Sequence, residues 1–563
     1  MARSGTRPVA SGSPLGCLVA AAREGSLAAV PSPRPSRLVA VPLEEVRGIA
    51  GGTLDILETG EPAGLVVTGV SLDSRSIRPG DLYAALPGYH AHGATFAAQA
   101  VATGAVALLT DPDGARIIRE DVEHARAGET QPRPLPTIVC ASPREILGAV
   151  AARIYGRPAD HLALVGITGT NGKTTTAYLV ESGLRHLGVT TGLIGTVETR
   201  LGSRRLPSAR TTPEATDLHA ILAMMLEEGS TAAVMEVSSH ALRQHRVDGA
   251  VFDVALFTNL SQDHLDFHPT MEDYFAAKAL LFTPAHSSRG LVCVDDAWGA
   301  RLAAQATVPV ETLTSRPDTA ANWVVRQRDW PHFTLDGPAG RLELECHLPG
   351  EFNVVNTAMA AVALLTLGSF GHDAIAVRSA MAREPVVPGR MERVTATSPD
   401  GEDPRAIVDY AHTPDAVAAA LQALRPTTAG RLVVVLGAGG DRDRGKRPAM
   451  GAAAARWADD VIITDDNPRS EDPAAIRAEV EAGADRVGAV AAVRSNTAGR
   501  FTAIAQAVAI ARSATPSRDN TVLILGKGHE SGQDVAGTVH AFDDRDALRA
   551  ALDGTAYTPE DGG

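Results

Sequence analysis

The sequence predicts an α/β protein of three domains, with parallel sheets in the central domain and a Rossmann-like arrangement in the last. Three observations predict it. The 563 residues exceed one ordinary core, and at ~150 residues per domain three or four domains are expected. Apolar residues make up 44% of the chain, enough to fill several cores. Short apolar runs without polar alternation recur between small-residue helical stretches, the pattern of a sheet covered on both faces.

The elements follow in order. Residues 1–40 are rich in Pro, Ser, Gly and Arg, and their best apolar run, "LGCLVAAA", is closed by Arg23 and Glu24 without a cleavage signal. They are expected to be a disordered extension. Residues 41–158 form the first domain, with the strand-rich "GLVVTGVSLDSRSIRPGDLYAAL" and the helix-to-strand run "ATFAAQAVATGAVALLTD". Residues 159–386 open on the apolar strand "HLALVGITG", a glycine-rich turn and a helix from Lys173. Further strands there end at "TAAVMEVSSH" and "VFDVALFTNL". Residues 387–563 carry strands at "RAIVDYAH", "RLVVVLGAGGD", "DDVIITDDN" and "NTVLILGKGHE", separated by helical stretches. In such doubly wound sheets ligands sit beyond the carboxyl ends of the strands, and the unusual residue clusters all fall there.

Charge and cysteines narrow the function. The balance 52 − 66 = −14 argues against a general nucleic-acid binder, because phosphate-backbone affinity rests on clustered Lys and Arg. Cys17, Cys140, Cys293 and Cys346 are scattered without metal spacing, which suits a reducing cytoplasmic compartment. No run approaches the ~20 apolar residues that span a bilayer, so no membrane insertion is expected. The expected partners are small molecules, and the expected state is a monomer.

The stretch "VGITGTNGKTTT" (165–176) resembles a phosphate loop but breaks the usual spacing, with Ile167 where the first glycine belongs. A strand, a turn of Gly169, Thr170, Asn171 and Gly172, and a helix starting Lys173-Thr174-Thr175 nevertheless present successive backbone N–H groups to a polyphosphate. Lys173 suits outer phosphates and the Thr174 hydroxyl suits Mg²⁺. That makes the central domain a P-loop ATPase domain. Glu236 ends a neighbouring strand, where a metal-bound triphosphate needs a carboxylate. "FTNLSQDHLDFH" gathers Asn259, Asp263, His264, Asp266 and His268; His264 is a candidate metal ligand, and without zinc spacing Mg²⁺ is preferred. Lys278 reads equally as a surface charge. "GAGGDRDRGKRP" has Arg442 where a dinucleotide loop needs glycine, and it crowds Arg442, Arg444, Lys446 and Arg447 together as if for anionic groups. "DDNPRS" (Asp466, Asn467, Pro468, Arg469) and "GKGHES" (Gly526, His529, Glu530) place acids beside a guanidinium, as a zwitterionic amino acid requires.

Together with "LDSR", "TTPE", "EVSSHAL", "AAK", "GEFNVVN", "PGRMERV" and "DYAHTPD", these stretches resemble the Mur ligases of peptidoglycan synthesis over about residues 65–535. The loop core of that family does not require the earlier glycine. The resemblance implies a ligase that uses ATP and Mg²⁺ to phosphorylate the D-glutamate γ-carboxylate of UDP-N-acetylmuramoyl-L-alanyl-D-glutamate. The amine of an incoming amino acid would then attack the acyl phosphate. It implies catalytic roles for Lys173, Glu236, His264 and Lys278, with Lys278 carbamylated and the metal held by Thr174, Glu236, His264 and that carbamate. Asn353 and Asn356 would lie near the adenine, and Arg390, Asp409, Tyr410 and His412 would close the third domain over ATP. Leu72, Ser74, Tyr89, His90 and Ala91 would contact the uridine nucleotide, and Thr211, Thr212, Ser238, Gln244 and Arg246 the muramoyl peptide. Arg210 stands where some relatives carry an amide and is left out of the site. Arg442, Asp466, Asn467, Pro468, Arg469, Gly526 and Glu530 would bind the amino acid. Arg469 points to meso-diaminopimelate over lysine, because only the former brings a distal carboxylate. The alternatives are a lysine-adding ligase, a folylpolyglutamate synthase, for which "DNPR" with "GKGHE" has no use, and an idle Mur-like scaffold, against which Lys173, Glu236, His264 and Lys278 all stand.

Overall fold

The computed structural model describes residues 32–55, 64–88, 90–126, 135–206, 208, 210–265, 267–327, 330–367, 373–383, 385–397, 401–488 and 491–558. Tyr89, Asp266 and residues 1–31 lie outside the described residues.

The first sheet has strands β1 (Thr53–Asp55), β2 (Gly69–Ser71), β3 (Asp81–Ala84), β4 (Ala107–Thr110) and β5 (Thr137–Val139), in the order β1-β5-β4-β3-β2. Only β1 runs antiparallel. The expectation of a disordered extension through residue 40 is corrected for residues 32–40. Arg34 is buried against Asp81 and donates to the Tyr155 hydroxyl at 3.0 Å, while the backbone N–H groups of Ser36 and Arg37 donate to the Glu227 carboxylate. A buried guanidinium needs such partners, and composition alone does not reveal them.

The central sheet has strands β6 (Ala163–Thr168), β7 (Thr191–Ile194), β8 (Thr199–Leu201), β9 (Arg204–Leu206), β10 (Ala232–Glu236), β11 (Val254–Phe257), β12 (Gly290–Cys293), β13 (Val310–Thr314), β14 (Trp323–Gln327), β15 (His332–Gly337) and β16 (Gly340–Glu345). Their order is β9-β8-β7-β10-β6-β11-β12-β13-β14-β15-β16. The run from β7 to β14 in that order is parallel. Antiparallel pairs extend both edges, a feature the sequence reading of a parallel sheet did not include. Strands β10 and β11 are buried at every position, which is why they read as unbroken apolar runs.

Helix α1 (Lys173–His186) follows β6 directly, and α2 (Ala215–Glu227), α3 (Met271–Ala279) and α4 (Glu351–Thr366) complete the layers used below. Ala358, Ala360, Ala361 and Ala363 of α4 are fully buried, and these small side chains let it lie closely against α1. On α2, His219 is fully buried, its Nε2 lies 3.0 Å from the Asp248 carbonyl, and its Nδ1 has no partner among the described residues. Burial drives its pKa down from 6.5 to about 4. The unfolded chain then takes up a proton that the folded one refuses between those values. Stability is therefore lost as pH falls from 6.5 towards 4, by about 2 kcal/mol at pH 5 from this residue. His219→Gln keeps a donor for the carbonyl and cannot titrate. Its denaturation midpoint should fall less between pH 7 and pH 5 than that of the parent; an equal fall would refute the assignment.

The C-terminal sheet has β17 (Glu392–Val394), β18 (Arg405–Asp409), β19 (Leu432–Leu436), β20 (Asp460–Ile463), β21 (Ala492–Ser495) and β22 (Thr521–Leu525), ordered β17-β18-β22-β19-β20-β21. All but β17 are parallel. Helices α5 (Pro414–Leu424), α6 (Arg500–Ser513) and α7 (Asp544–Asp553) pack on it. No helix among the described residues is long and apolar enough to cross a membrane.

Candidate active site

The carboxyl ends of the central strands and those of the C-terminal strands line one cleft of about 1040 Å³. Its floor is the turn between β6 and α1. Gly172 adopts φ 85° there, and a Cβ would stand 2.6 Å from the Asn356 side-chain oxygen, so the turn requires glycine. Asn259 fixes the turn from the end of β11: its side-chain oxygen accepts from the Asn171 N–H at 3.0 Å and its carbonyl from Thr170 at 2.9 Å. With the backbone held this way, the first turn of α1 opens towards the cleft.

Two lysines converge on one carbonyl. Lys173 Nζ donates to Gly169 O at 2.9 Å and to Thr170 O at 2.8 Å, and Lys278 Nζ donates to the same Gly169 O at 2.8 Å. Burial lowers the Lys173 pKa against the opposing pull of Glu236. Lys278 is 1% exposed, on α3, 4.6 Å from the Tyr274 ring centre. Burial, and then the Lys173 charge, push its pKa well below 10.5, so its amine loses a proton readily. The reading of Lys278 as an equally plausible surface charge is therefore corrected: the carbonyl and the phenol ring it meets come from elements remote from it or one helical turn away.

Glu236 ends β10 buried, with one oxygen accepting from the Thr196 N–H at 2.8 Å and the other from Thr174 Oγ1 at 3.0 Å and Thr196 Oγ1 at 3.1 Å. Thr196 is a residue the sequence reading missed, since a threonine after a short strand carries no distinctive signal. Arg390 reaches across from the C-terminal domain, donating to Thr174 Oγ1 at 3.0 Å and lying 4.2 Å from the Tyr410 ring centre. Asp409 accepts from Met391 N and Ala411 N, which ties the residue after Arg390 to the residue after Tyr410.

His264 has φ 55° and sits 3.6 Å from Asp263, with its ring 4.9 Å from that of His240. Burial keeps its imidazole neutral, so a ring nitrogen keeps its lone pair. His268 is instead buried against Ser239 Oγ at 2.9 Å, a packing role. Among the described residues no three His, Cys, Asp or Glu side chains converge as a metal-binding group.

Thr211, Thr212, Ser238 and Arg246 line the same cleft. Thr212 Oγ1 donates to Glu236 O, Ser238 caps the short helix Ser239–Arg243, and Arg246 donates to Thr212 O and to Gln244 Oε1. Arg210, left out of the site by sequence, also lines the cleft and pairs with Glu214 at 2.8 Å. Leu72, Ser74, His90 and Ala91 lie apart, beyond the carboxyl ends of β2 and β3, where Ser74 donates to Gln99. Asn353 and Asn356 are buried on α4 and bonded to each other, with Asn356 against the phosphate turn.

The other end of the cleft is lined by Arg442, Asp466, Asn467, Arg469, Gly526 and Glu530. Gly526 has φ 113°, and a Cβ would stand 2.2 Å from Asp466 Oδ2, so only glycine lets the two loops meet. The Arg469 Nη1 donates to Gly440 O at 2.6 Å, which holds the guanidinium at the cleft. Pro468 lies against Gly440, where a Cβ would meet its carbonyl at 1.9 Å. One expectation is corrected. Arg447 is fully buried on Glu471 and Glu479, and Arg444 pairs with Glu471, so these two brace the loop, while Arg442 and Lys446 face the cleft.

A parallel-sheet phosphate loop facing a second α/β domain across a cleft with an acid-and-arginine end defines the class. The chain belongs to the Mur ligase family: residues 66–155 match the Mur ligase family catalytic domain, 167–364 the Mur ligase middle domain, and 389–528 the Mur ligase glutamate ligase domain. Within it, the chain is 50% identical to the UDP-N-acetylmuramoyl-L-alanyl-D-glutamate–2,6-diaminopimelate ligase of Streptomyces coelicolor, over 92% of this chain and 98% of that one. It is 47% identical to the ligase of the same name in Corynebacterium glutamicum, over 86% of this chain and 92% of that one. A solved ligase of that name superimposes with TM-score 0.61 at 31% identity, covering 92% of this chain and 99% of that one. A folylpolyglutamate synthase from Mycobacterium tuberculosis shares the fold alone, at TM-score 0.54 and 22% identity over 68% of this chain and 91% of that one.

Proposed function

We propose that the protein joins meso-diaminopimelate to UDP-N-acetylmuramoyl-L-alanyl-D-glutamate at the expense of ATP, in cytoplasmic peptidoglycan precursor synthesis. The observation that carries this is Arg469, held by Gly440 and lining, with Asp466 and Glu530, the same cleft as the phosphate turn. A γ-carboxylate oxygen of the substrate attacks the terminal phosphorus of ATP, and ADP leaves with the bond's electron pair. The amine of diaminopimelate, having lost its proton, attacks the resulting acyl carbon, and phosphate departs as the amide forms.

The chain's own residues serve each stage. The N–H groups from Gly169 to Thr175 and the Lys173 ammonium balance charge on the phosphoryl group in transfer. Lys173 must leave Gly169 O and Thr170 O to do so, and Arg390 couples the C-terminal domain to the same turn through Thr174. Magnesium suits this donor set. Thr174 Oγ1 and the Glu236 carboxylate are hard oxygens 3.0 Å apart, neutral His264 is nearby, and Mg²⁺ commonly takes few protein ligands alongside phosphate oxygens. When bound, the ion neutralises phosphate charge. Lys278, poised to lose its proton, suits carbamylation by CO₂: its nitrogen bonds to the carbon and releases a proton, turning a cation into a further carboxylate. Thr211, Thr212, Ser238, Gln244 and Arg246 hold the muramoyl peptide, with the uridine end towards Leu72, Ser74, His90 and Ala91.

The test is phosphate release with ATP and the dipeptide nucleotide. With meso-diaminopimelate, kcat/KM should exceed that with L-lysine by about a hundred-fold or more, because lysine leaves Arg469 facing no carboxylate. Arg469→Ala should remove most of that preference. Faster turnover with lysine would sink the reading.

A further inference from the structure

We propose that Lys527 is a positioning residue for the amino-acid substrate, setting the side chains of Asn467 and Glu530 without touching the ligand. The inference rests on the diaminopimelate reading of this end of the cleft. Lys527 follows β22 and is fully buried, which is costly for an ammonium unless it is fully partnered. Its Nζ donates to Asn467 Oδ1 at 3.1 Å, to Glu530 Oε2 at 3.4 Å and to Gly532 O. An ammonium has three N–H groups, and these three acceptors use them all, so none is left for a ligand.

The consequence falls on the two neighbours. Asn467 is 8% exposed, and its Oδ1 accepts from Lys527 and from Asp534 N at 3.0 Å, so the amide has one orientation. Its Nδ2 then points to Glu530 Oε2 at 2.8 Å. Glu530 is held from both sides, by Asn467 and Lys527 on Oε2 and by the Tyr410 hydroxyl at 3.3 Å on Oε1. Asn467 and Glu530 both line the cleft, whereas Lys527 lies behind them. Glu530 and Asp466 line the same cleft, so the carboxylate that Lys527 and Asn467 hold through Oε2 is fixed on the side from which a substrate ammonium would approach.

Lys527→Met keeps the aliphatic stem and removes the charge and donors. The expected result is a rise of about ten- to a hundred-fold in KM for meso-diaminopimelate, with KM for ATP and for the dipeptide nucleotide within about two-fold of the parent. In a Glu530→Gln background the same change should add little, since both alter one network. Lys527→Gln, which still donates to Asn467, should restore part of the affinity. An unchanged amino-acid KM in Lys527→Met, or a uniform loss across all three substrates, overturns the inference. So does the loss of a cooperative unfolding transition in both Lys527 variants, which would make Lys527 a folding residue. If the parent enzyme itself does not use diaminopimelate, it is the proposed function that fails.

Discussion

Lys278→Ala should lower kcat by about 10²- to 10³-fold, the usual range when a charge placed at a developing transition state is removed, without a matching loss of stability. Among the described residues the buried amine meets only the Gly169 carbonyl and the Tyr274 ring face, and burial already favours its neutral form. Removing the amine leaves space for a small anion. If the working group is a carbamate, formate or acetate should enter that space and restore part of the turnover, since each supplies a carboxylate where the carbamate stood. Lys278→Arg should gain nothing, because a guanidinium neither loses its proton nor takes up CO₂. The measurements are phosphate release with and without added formate, and peptide mass spectrometry of the parent for a carbamate that acid removes. A Lys278→Ala enzyme with parental kcat would end the carboxylate role.

Lys278 also marks where sequence reading stops. The phosphate turn was legible because its chemistry is local: strand, glycines, lysine and helix are contiguous, and the structure keeps them so. Glu236 was legible as the last residue of an apolar strand. Lys278 sits on a helix with apolar neighbours, and nothing within that helix says that its amine meets Gly169, 109 residues away in sequence. Only the family likeness singled it out. The basic loop at 442–447 failed in the opposite sense, since four adjacent cations resemble an anion site until Glu471 and Glu479 are seen to occupy Arg444 and Arg447. Lys527 and Thr196 were missed because their partners are carbonyls, amides and carboxylates on other loops, and such bonds leave no spacing to read. Residues 32–40 were misassigned for a related reason: composition reports a stretch rich in Pro, Ser, Gly and Arg, not a buried Arg34–Asp81 pair.

Asp544→Ala should be the most destabilising single change in the C-terminal domain, by about 3–5 kcal/mol, because it strands a buried cation. Arg500 on α6 and Asp544 on α7 are both fully buried, with Arg500 Nε and Nη2 each donating to the carboxylate at 2.7 Å. Burial by itself would lower the Arg500 pKa, and Asp544 more than offsets it, so the guanidinium stays charged. Its remaining bonds go to Asp465 O at 3.1 Å and Leu525 O at 2.9 Å, the residues immediately before Asp466 and Gly526. The pair thus ties the ends of β20 and β22 together just where their loops form the proposed amino-acid site. Two effects should therefore separate. Calorimetry should show the C-terminal transition several degrees lower in Asp544→Ala, and the double change Arg500→Met with Asp544→Leu should recover much of that loss, since apolar replacement of a buried pair is often neutral or better. The double variant should still show a raised KM for diaminopimelate, because no apolar side chain can hold the Asp465 and Leu525 carbonyls. Recovery of both stability and affinity would mean that the pair only fills the core, and that the two loops find their geometry without it.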